Sequence, residues 1–274
     1  MAQIQIYGTL PGGSGNLQNK DVTITENTET IIEPDSGYDG LESVKVTTNV
    51  SQDMSDYFGN ITGSSSGQAV GTTWMAGIKK MSNFTISGTT AQQLFRNFKG
   101  TSIDFFNVDT SAITNTSYMF KDCTNLNNIT LFDTSNVTNM ENMFENCELL
   151  ANVPFFDTSK VNKTNYMFQG CSSLTSIPAF NISEVTDMRY MFFRCTLLTT
   201  LPILNTSNVT LIGDAFKGCP NLSNDSINNI LQMCINATKV SYKKLNNSVD
   251  NYVLEIVPSL SNYQAFLDAG WSLT

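Results

Sequence analysis

The sequence predicts an α/β solenoid with a 24-residue period, joined to a small N-terminal β module. Three observations predict it. Cys123, Cys147, Cys171, Cys195 and Cys219 succeed one another at intervals of 24 residues. Phe120, Phe144, Phe168, Phe192 and Phe216 stand three residues before them, each preceded by Met119, Met143, Met167 or Met191, with Ala215 in the last copy. Around this center, Ser111, Ser135, Ser159, Ser183 and Ser207 recur upstream, and Leu126, Leu150, Leu174, Leu198 and Leu222 downstream. Self-similarity at one fixed spacing marks stacked units, none of which can bury its apolar face alone.

Composition narrows what such a stack could do. The chain has 274 residues, 41% hydrophobic and only 14% charged, enough for a substantial core. Its net charge of −9 repels phosphate backbones, so no nucleic-acid partner is expected. Histidine is absent, which removes Ser-His-Asp and Cys-His catalysis and most catalytic zinc sites. No apolar run approaches the length of a transmembrane helix, so no membrane insertion is expected.

Residues 1–50 read as the β module. Ile4 and Ile6 alternate with Gln3 and Gln5, the pattern of a strand and not of a secretory signal, so synthesis in a cytoplasm without ordinary export is expected. The stretch from Asp21 to Ile32 and that from Leu41 to Thr48 alternate at period 2 around the turn-rich Asp35-Ser-Gly-Tyr-Asp-Gly, which predicts a hairpin-based fold. Residues 51–83 read as a linker, Ser-rich at Ser64-Ser-Ser-Gly67, with a helical turn around Met75 to Met81.

Residues 84–235 carry the solenoid. Phe84 to Phe106 read as a worn copy without its cysteine, as an N-terminal cap would be. In a full copy, Met140, Met143, Phe144 and Cys147 follow the 3.6-residue period and predict a short helix or helical turn. Asp133, Thr134, Ser135 and Asn136 before it are capping types, and Pro154, Pro178 and Pro202 predict where a short strand ends. Strand pairing between coils would set a rise of about 4.8 Å, a stack roughly 25 Å long for five coils. Ser226 to Cys234 continues helically into a C-terminal cap over 236–274. There Ser261 or Asn262 would cap a last helix with Tyr263, Phe266 and Leu267 on one face and Gly270 at its end.

The pattern Leu-x-x-Ile-Pro-x-Phe-x-x-Ser-x-Val-x-x-Met-x-x-Met-Phe-x-x-Cys over about 106–223 resembles the BspA-like branch of the leucine-rich repeat family. Ala215-Phe216-Lys217-Gly218-Cys219 matches that branch's Ala-Phe-x-x-Cys form. The resemblance implies a curved scaffold for adhesion and recognition, with neither catalysis nor a cofactor. Pro34-Asp-Ser-Gly-Tyr-Asp-Gly-Leu-Glu-Ser-Val-Lys-Val and the terminal Gln264-Ala-Phe-Leu-Asp-Ala-Gly-Trp271 are similar to segments of phage tail-fibre and virion-surface proteins. That likeness implies a virion component whose β module attaches to other virion proteins and whose solenoid meets a host-surface glycan or protein. A homo-oligomer is compatible with it. The alternatives are a structural capsid or tail decoration protein, a polysaccharide depolymerase and a bacterial adhesin.

Candidate chemistry is sparse. The cysteines lack the Cys-x-x-Cys or histidine partners of a metal site and read as buried free thiols, Cys219–Cys234 being the one pairing to consider. The Asp133 and Asp157 row continues as Asn181 and Asn205, which keeps capping geometry and loses the acid, so local capping is favored over a glycosidase pair. Tyr118, Tyr166 and Tyr190 align at multiples of 24, with Asn142 interrupting, and are the candidate binding residues; flanking the core is the other role open to them. Leu131, Phe155, Ala179 and Ile203 form a second row, either apolar surface or packing between coils.

Overall fold

The computed structural model describes residues 89–105, 108–245 and 259–273, together with the backbone of five earlier strands. These are β1 (Ile4–Ile6), β2 (Leu17–Ile24), β3 (Thr30–Ile32), β4 (Gly40–Thr48) and β5 (Lys80–Met81). Residues 35–39 of the expected turn and nearly all of 51–83 lie outside the described residues.

The expected hairpin is corrected. β2 pairs with β4 in parallel, Leu17 opposite Gly40 through Ile24 opposite Thr48, and β1 pairs in parallel with β3. The strand that follows β2 therefore joins another pair, and residues 25–39 supply the dozen or more that a parallel crossover needs. The helical turn expected to end at Met81 is also corrected at its close. β5 is a strand, parallel to β6 (Ser102–Ile103), which in turn pairs with β7 (Asn128–Ile129).

From Thr89 onward, the copies lie in parallel register, each hydrogen-bonded to the next. Thr90, Asn115, Asn139, Lys163, Asp187 and Leu211 form a continuous line of parallel bridges. Beside it, every second N–H crosses between copies: Met140, Asn142, Phe144 and Asn146 donate to the carbonyls of Lys163, Asn165, Met167 and Gln169 at 2.7–3.0 Å. The N–H groups between them close tight turns inside their own copy, Met143 to Met140, Glu145 to Asn142 and Cys147 to Phe144.

That alternation replaces the helical segment that the spacing predicts. An α-helix turns each N–H toward the carbonyl four residues back. Here two residues per copy take left-handed backbone, such as Asn142 (φ 56°) and Asn146 (φ 60°), and aim alternate N–H groups at the neighboring copy. The Met, Phe and Cys side chains still share one face. Further along the copies, Ser176 bridges Thr200 in parallel just ahead of Pro178 and Pro202, where the sequence places the ends of short strands.

The core runs through the stack as ladders. Successive rings from Phe95 through Phe120, Phe144, Phe168 and Phe192 to Phe216 lie parallel, with centroids 5.2–5.9 Å apart. Phe132, Phe156, Phe180 and Leu204 form a second buried row. The worn first copy does join the stack, Phe95 lying on Phe120 while buried Phe98 fills the cysteine position.

At the other end, α1 (Asn224–Asn236) closes the core with Ile227, Ile230, Leu231, Met233 and Cys234, and the Ser223 hydroxyl accepts from the Ser226 N–H as its cap. Last come β8 (Lys244–Leu245), α2 (Tyr263–Asp268) and β9 (Ser272–Leu273), β8 and β9 being parallel. Asn262 takes the cap position of α2 but makes no side-chain cap; its amide donates to the Asn228 carbonyl instead. Of the three residues expected on one face of α2, Phe266 is buried and Leu267 is exposed. Gly270, at φ 85°, follows the helix as expected.

Candidate binding face

The cysteine row has one geometry in five copies. Each Sγ–H donates to the carbonyl of the phenylalanine in the preceding copy: Cys123 to Phe95, Cys147 to Phe120, Cys171 to Phe144, Cys195 to Phe168 and Cys219 to Phe192, all at 3.0–3.1 Å. All six cysteines, Cys234 included, are buried and unpaired. Burial raises the thiol pKa of Cys147, Cys171, Cys195 and Cys219, the last to about 12, so these are neutral donors. A small, weakly polar group that fills the space and still donates explains cysteine better than size alone. The described residues contain no cluster fit to hold a metal ion.

The Asp and Asn row also acts on the backbone. Asp109, Asp133 and Asp157 each accept from the N–H two residues on at 2.9 Å, and Asn181 and Asn205 do so at 3.1 Å. They close turns (there is no helix there to cap). Hydrogen bonds from Ser159 hold the Asp157 carboxyl below its ordinary range.

Tyr118, Tyr166 and Tyr190 fall at the first left-handed position of their copies, with φ of 59°, 61° and 58°. The same position holds Gln93, Asn142 and Asp214 elsewhere. Left-handed backbone suits asparagine and glycine and is uncommon for bulky side chains. All three tyrosines are half-buried, and the Tyr166 and Tyr190 rings stack 4.8 Å apart at 11°. Phe193 meets Tyr190 edge-on at 5.6 Å, with the Arg194 guanidinium over its ring. Desolvation raises the pKa of Tyr118, helped by Glu141 and Glu145, and that of Tyr166, helped by Tyr190.

Sequence reasoning missed the polar network beside this row. Glu145, next to the ladder residue Phe144, is only 7% exposed. It pairs with Lys121 at 2.7 Å and accepts from Asn142 and Gln169. Glu141 accepts from Asn165 at 2.7 Å. The one signal was that these acids occur in a single copy, at positions the repeat leaves free. Leu131, Phe155 and Ile203 are 58%, 63% and 53% exposed, so the second row is apolar surface, with the Phe155 ring also lying 6.5 Å from Phe180 of the next copy.

Copies in parallel register, with conserved-type interiors and divergent exteriors, define a repeat protein. The family model described as "Mycoplasma protein of unknown function, DUF285" matches residues 52–153, 89–201 and 149–263, and the chain belongs to that family. No curated protein and no solved structure matches it.

Proposed function

We propose that the chain is a non-catalytic recognition scaffold: a leucine-rich-repeat-type solenoid whose tyrosine-bearing face binds a surface glycan or protein. The observation that carries this reading is the left-handed tyrosine. Fold alone is served at this register by Asn142 and Asp214, at lower backbone cost, yet three copies keep an aromatic ring. Backbone held in an unfavorable conformation by its surroundings is a common mark of a functional position. Half-buried tyrosine gives a rigid apolar face and a phenol donor, which suits sugar rings and protein partners.

The particle setting rests on the two end segments alone. Within it, the N-terminal strands attach the chain to a phage virion while the stack meets the host, and labelling of this chain on particles by electron microscopy tests that. A few copies at a tail tip fit host recognition; hundreds over a capsid would make the chain a decoration protein. Binding is tested with the full chain on arrayed glycans and on cell envelopes. Tyr166→Asn/Tyr190→Asn is expected to abolish binding with the melting profile retained. Unchanged binding in that variant would remove the face from consideration.

A further inference from the structure

Away from the tyrosines, four successive copies carry two exposed rows on one outer face. Leu131, Phe155, Ala179 and Ile203 are exposed, as are Asp133, Asp157, Asn181 and Asn205 two residues on. The residues between them, Phe132, Phe156, Phe180 and Leu204, are buried. Exposure alternating with burial sets residues two apart on the same side, so an apolar row and a polar row run side by side along the stack. Steps of 5.2–5.7 Å on the phenylalanine ladder carry each row over about 17 Å from its first copy to its fourth. Each row is its own complement when reversed. Read inward from the two ends, Leu131 meets Ile203, and the projecting Phe155 meets the small Ala179. In the polar row, Asp133 meets Asn205 and Asp157 meets Asn181, carboxylate against amide both times.

We propose that this face pairs two copies of the chain, their stacks antiparallel, about a two-fold axis that crosses the stack between the 155 and 179 positions. A two-fold contact presents the same patch from both sides, so position 155 of one chain sits on 179 of the other and 157 sits on 181. The Phe155 ring then enters the space that the Ala179 methyl leaves. Asn181 and Asn205 use their side-chain oxygens to accept from the Ser183 and Ser207 N–H groups, which leaves both Nδ2 donors unused among the described residues. Asp157 and Asp133 accept from Ser159 and Ser135 and keep acceptor capacity for those amides of the second copy. A parallel pairing would set Phe155 on Phe155 and Ala179 on Ala179, a clash beside a void. The chain's charge of −9 opposes self-association, and the reversed register keeps carboxylate off carboxylate. Three large apolar side chains more than half exposed, with Ala179, make a strip on the order of 300–400 Å². That is about half of the roughly 800 Å² per partner in a standard interface, so the dimer is weak and reversible, dissociating at about 10–100 μM. It uses none of the tyrosine row and stands apart from the recognition function.

Sedimentation equilibrium of the full chain, from about 5 to 300 μM, is expected to show a monomer–dimer equilibrium. Ala179→Phe brings a second ring against Phe155 and is expected to weaken the dimer by about tenfold or more. Phe155→Ala/Ala179→Phe exchanges projection and recess, and is expected to restore association to within about threefold of the native chain. Both positions are exposed, so the melting temperature should hold in each variant. Asn181→Asp keeps its turn, as Asp157 does at the same register, but faces Asp157 of the second copy with another acid. It is expected to weaken the dimer about threefold or more at low salt and to recover at high salt, where charges are screened. A native chain that stays monomeric across the range overturns the pairing, as does assembly beyond the dimer. Native-like association of Ala179→Phe, or no recovery in the exchanged variant, overturns it too, and so does an Asn181→Asp chain that associates as the native one does.

Discussion

Replacing Tyr166 and Tyr190 by asparagine, singly and together, asks whether these rings hold the fold or only decorate it. Each left-handed tyrosine bears a backbone cost of roughly 1–2 kcal/mol that asparagine relieves in part. Against that relief stands the stacked pair, worth about 0.5–1.5 kcal/mol, and the burial of about half a ring, worth about 1 kcal/mol. The first substitution should therefore cost about 1 kcal/mol. The second has no stack left to lose and should be nearly neutral, so a double-mutant cycle returns a coupling of about 0.5–1.5 kcal/mol. Urea denaturation with unchanged slope measures all four corners. A loss above about 3 kcal/mol for either single change is the signature of a truncated core aromatic, and would show that the rings are structural.

Other positions give separate checks. Cys171→Ala should cost about 1–2 kcal/mol for lost volume, whereas Cys171→Ser retains a donor to the Phe144 carbonyl and should cost no more; a clearly larger loss for serine in urea titration would refute the thiol's donor role. Because burial raises the pKa of Cys147, Cys171, Cys195, Cys219 and Cys234 in the folded chain, these thiols stay protonated there while the unfolded chain ionizes. Stability should hold below about pH 8.5 and fall as pH rises toward 12, as thermal melts across that window would record. Asp157 is shifted the other way, so its contribution is present above about pH 4 and lost as pH falls through its depressed value; Asp157→Asn, which keeps the turn, should flatten that acid limb slightly. Gly218→Ala should lose about 1 kcal/mol in the same melts, since its φ is 80° and the new Cβ would lie 3.3 Å from the Arg194 backbone.

The interior was legible because its chemistry repeats. Every 24th residue faces the same surroundings in the next copy, so the period alone places Phe144 on Phe168 and Cys147 beside its neighbors. The backbone was misread for a related reason. A stripe such as Met140, Met143, Phe144 and Cys147 fits a helical period, but it fits equally a run of turns that alternates right- and left-handed residues. The clue lay in the residues between, where Asn142 with Asp214, and Asn146 with Gly170 and Gly218, are types that tolerate positive φ. Parallel pairing of β2 with β4 is invisible to a period-2 pattern, which marks strands and not their partners. Glu145 was hidden because its partner Lys121 belongs to another copy, and only the stack brings them to 2.7 Å.

The same architecture explains how one face can vary without loss of the stack. Bonds between copies run through backbone N–H and carbonyl groups, through thiols aimed at phenylalanine carbonyls, and through buried threonines such as Thr134 on the Asp157 carbonyl. None of these uses the side chain at the 118, 142, 166, 190 and 214 register. What that position demands is a residue able to hold positive φ, and the bonds between copies leave its side chain free to vary. A tyrosine there recovers its backbone cost within the chain, through ring burial and, for Tyr166 and Tyr190, stacking at 4.8 Å. If the proposed recognition function holds, Tyr118, Tyr166 and Tyr190 are the positions where a change should alter binding at a cost to the fold of only about 1 kcal/mol.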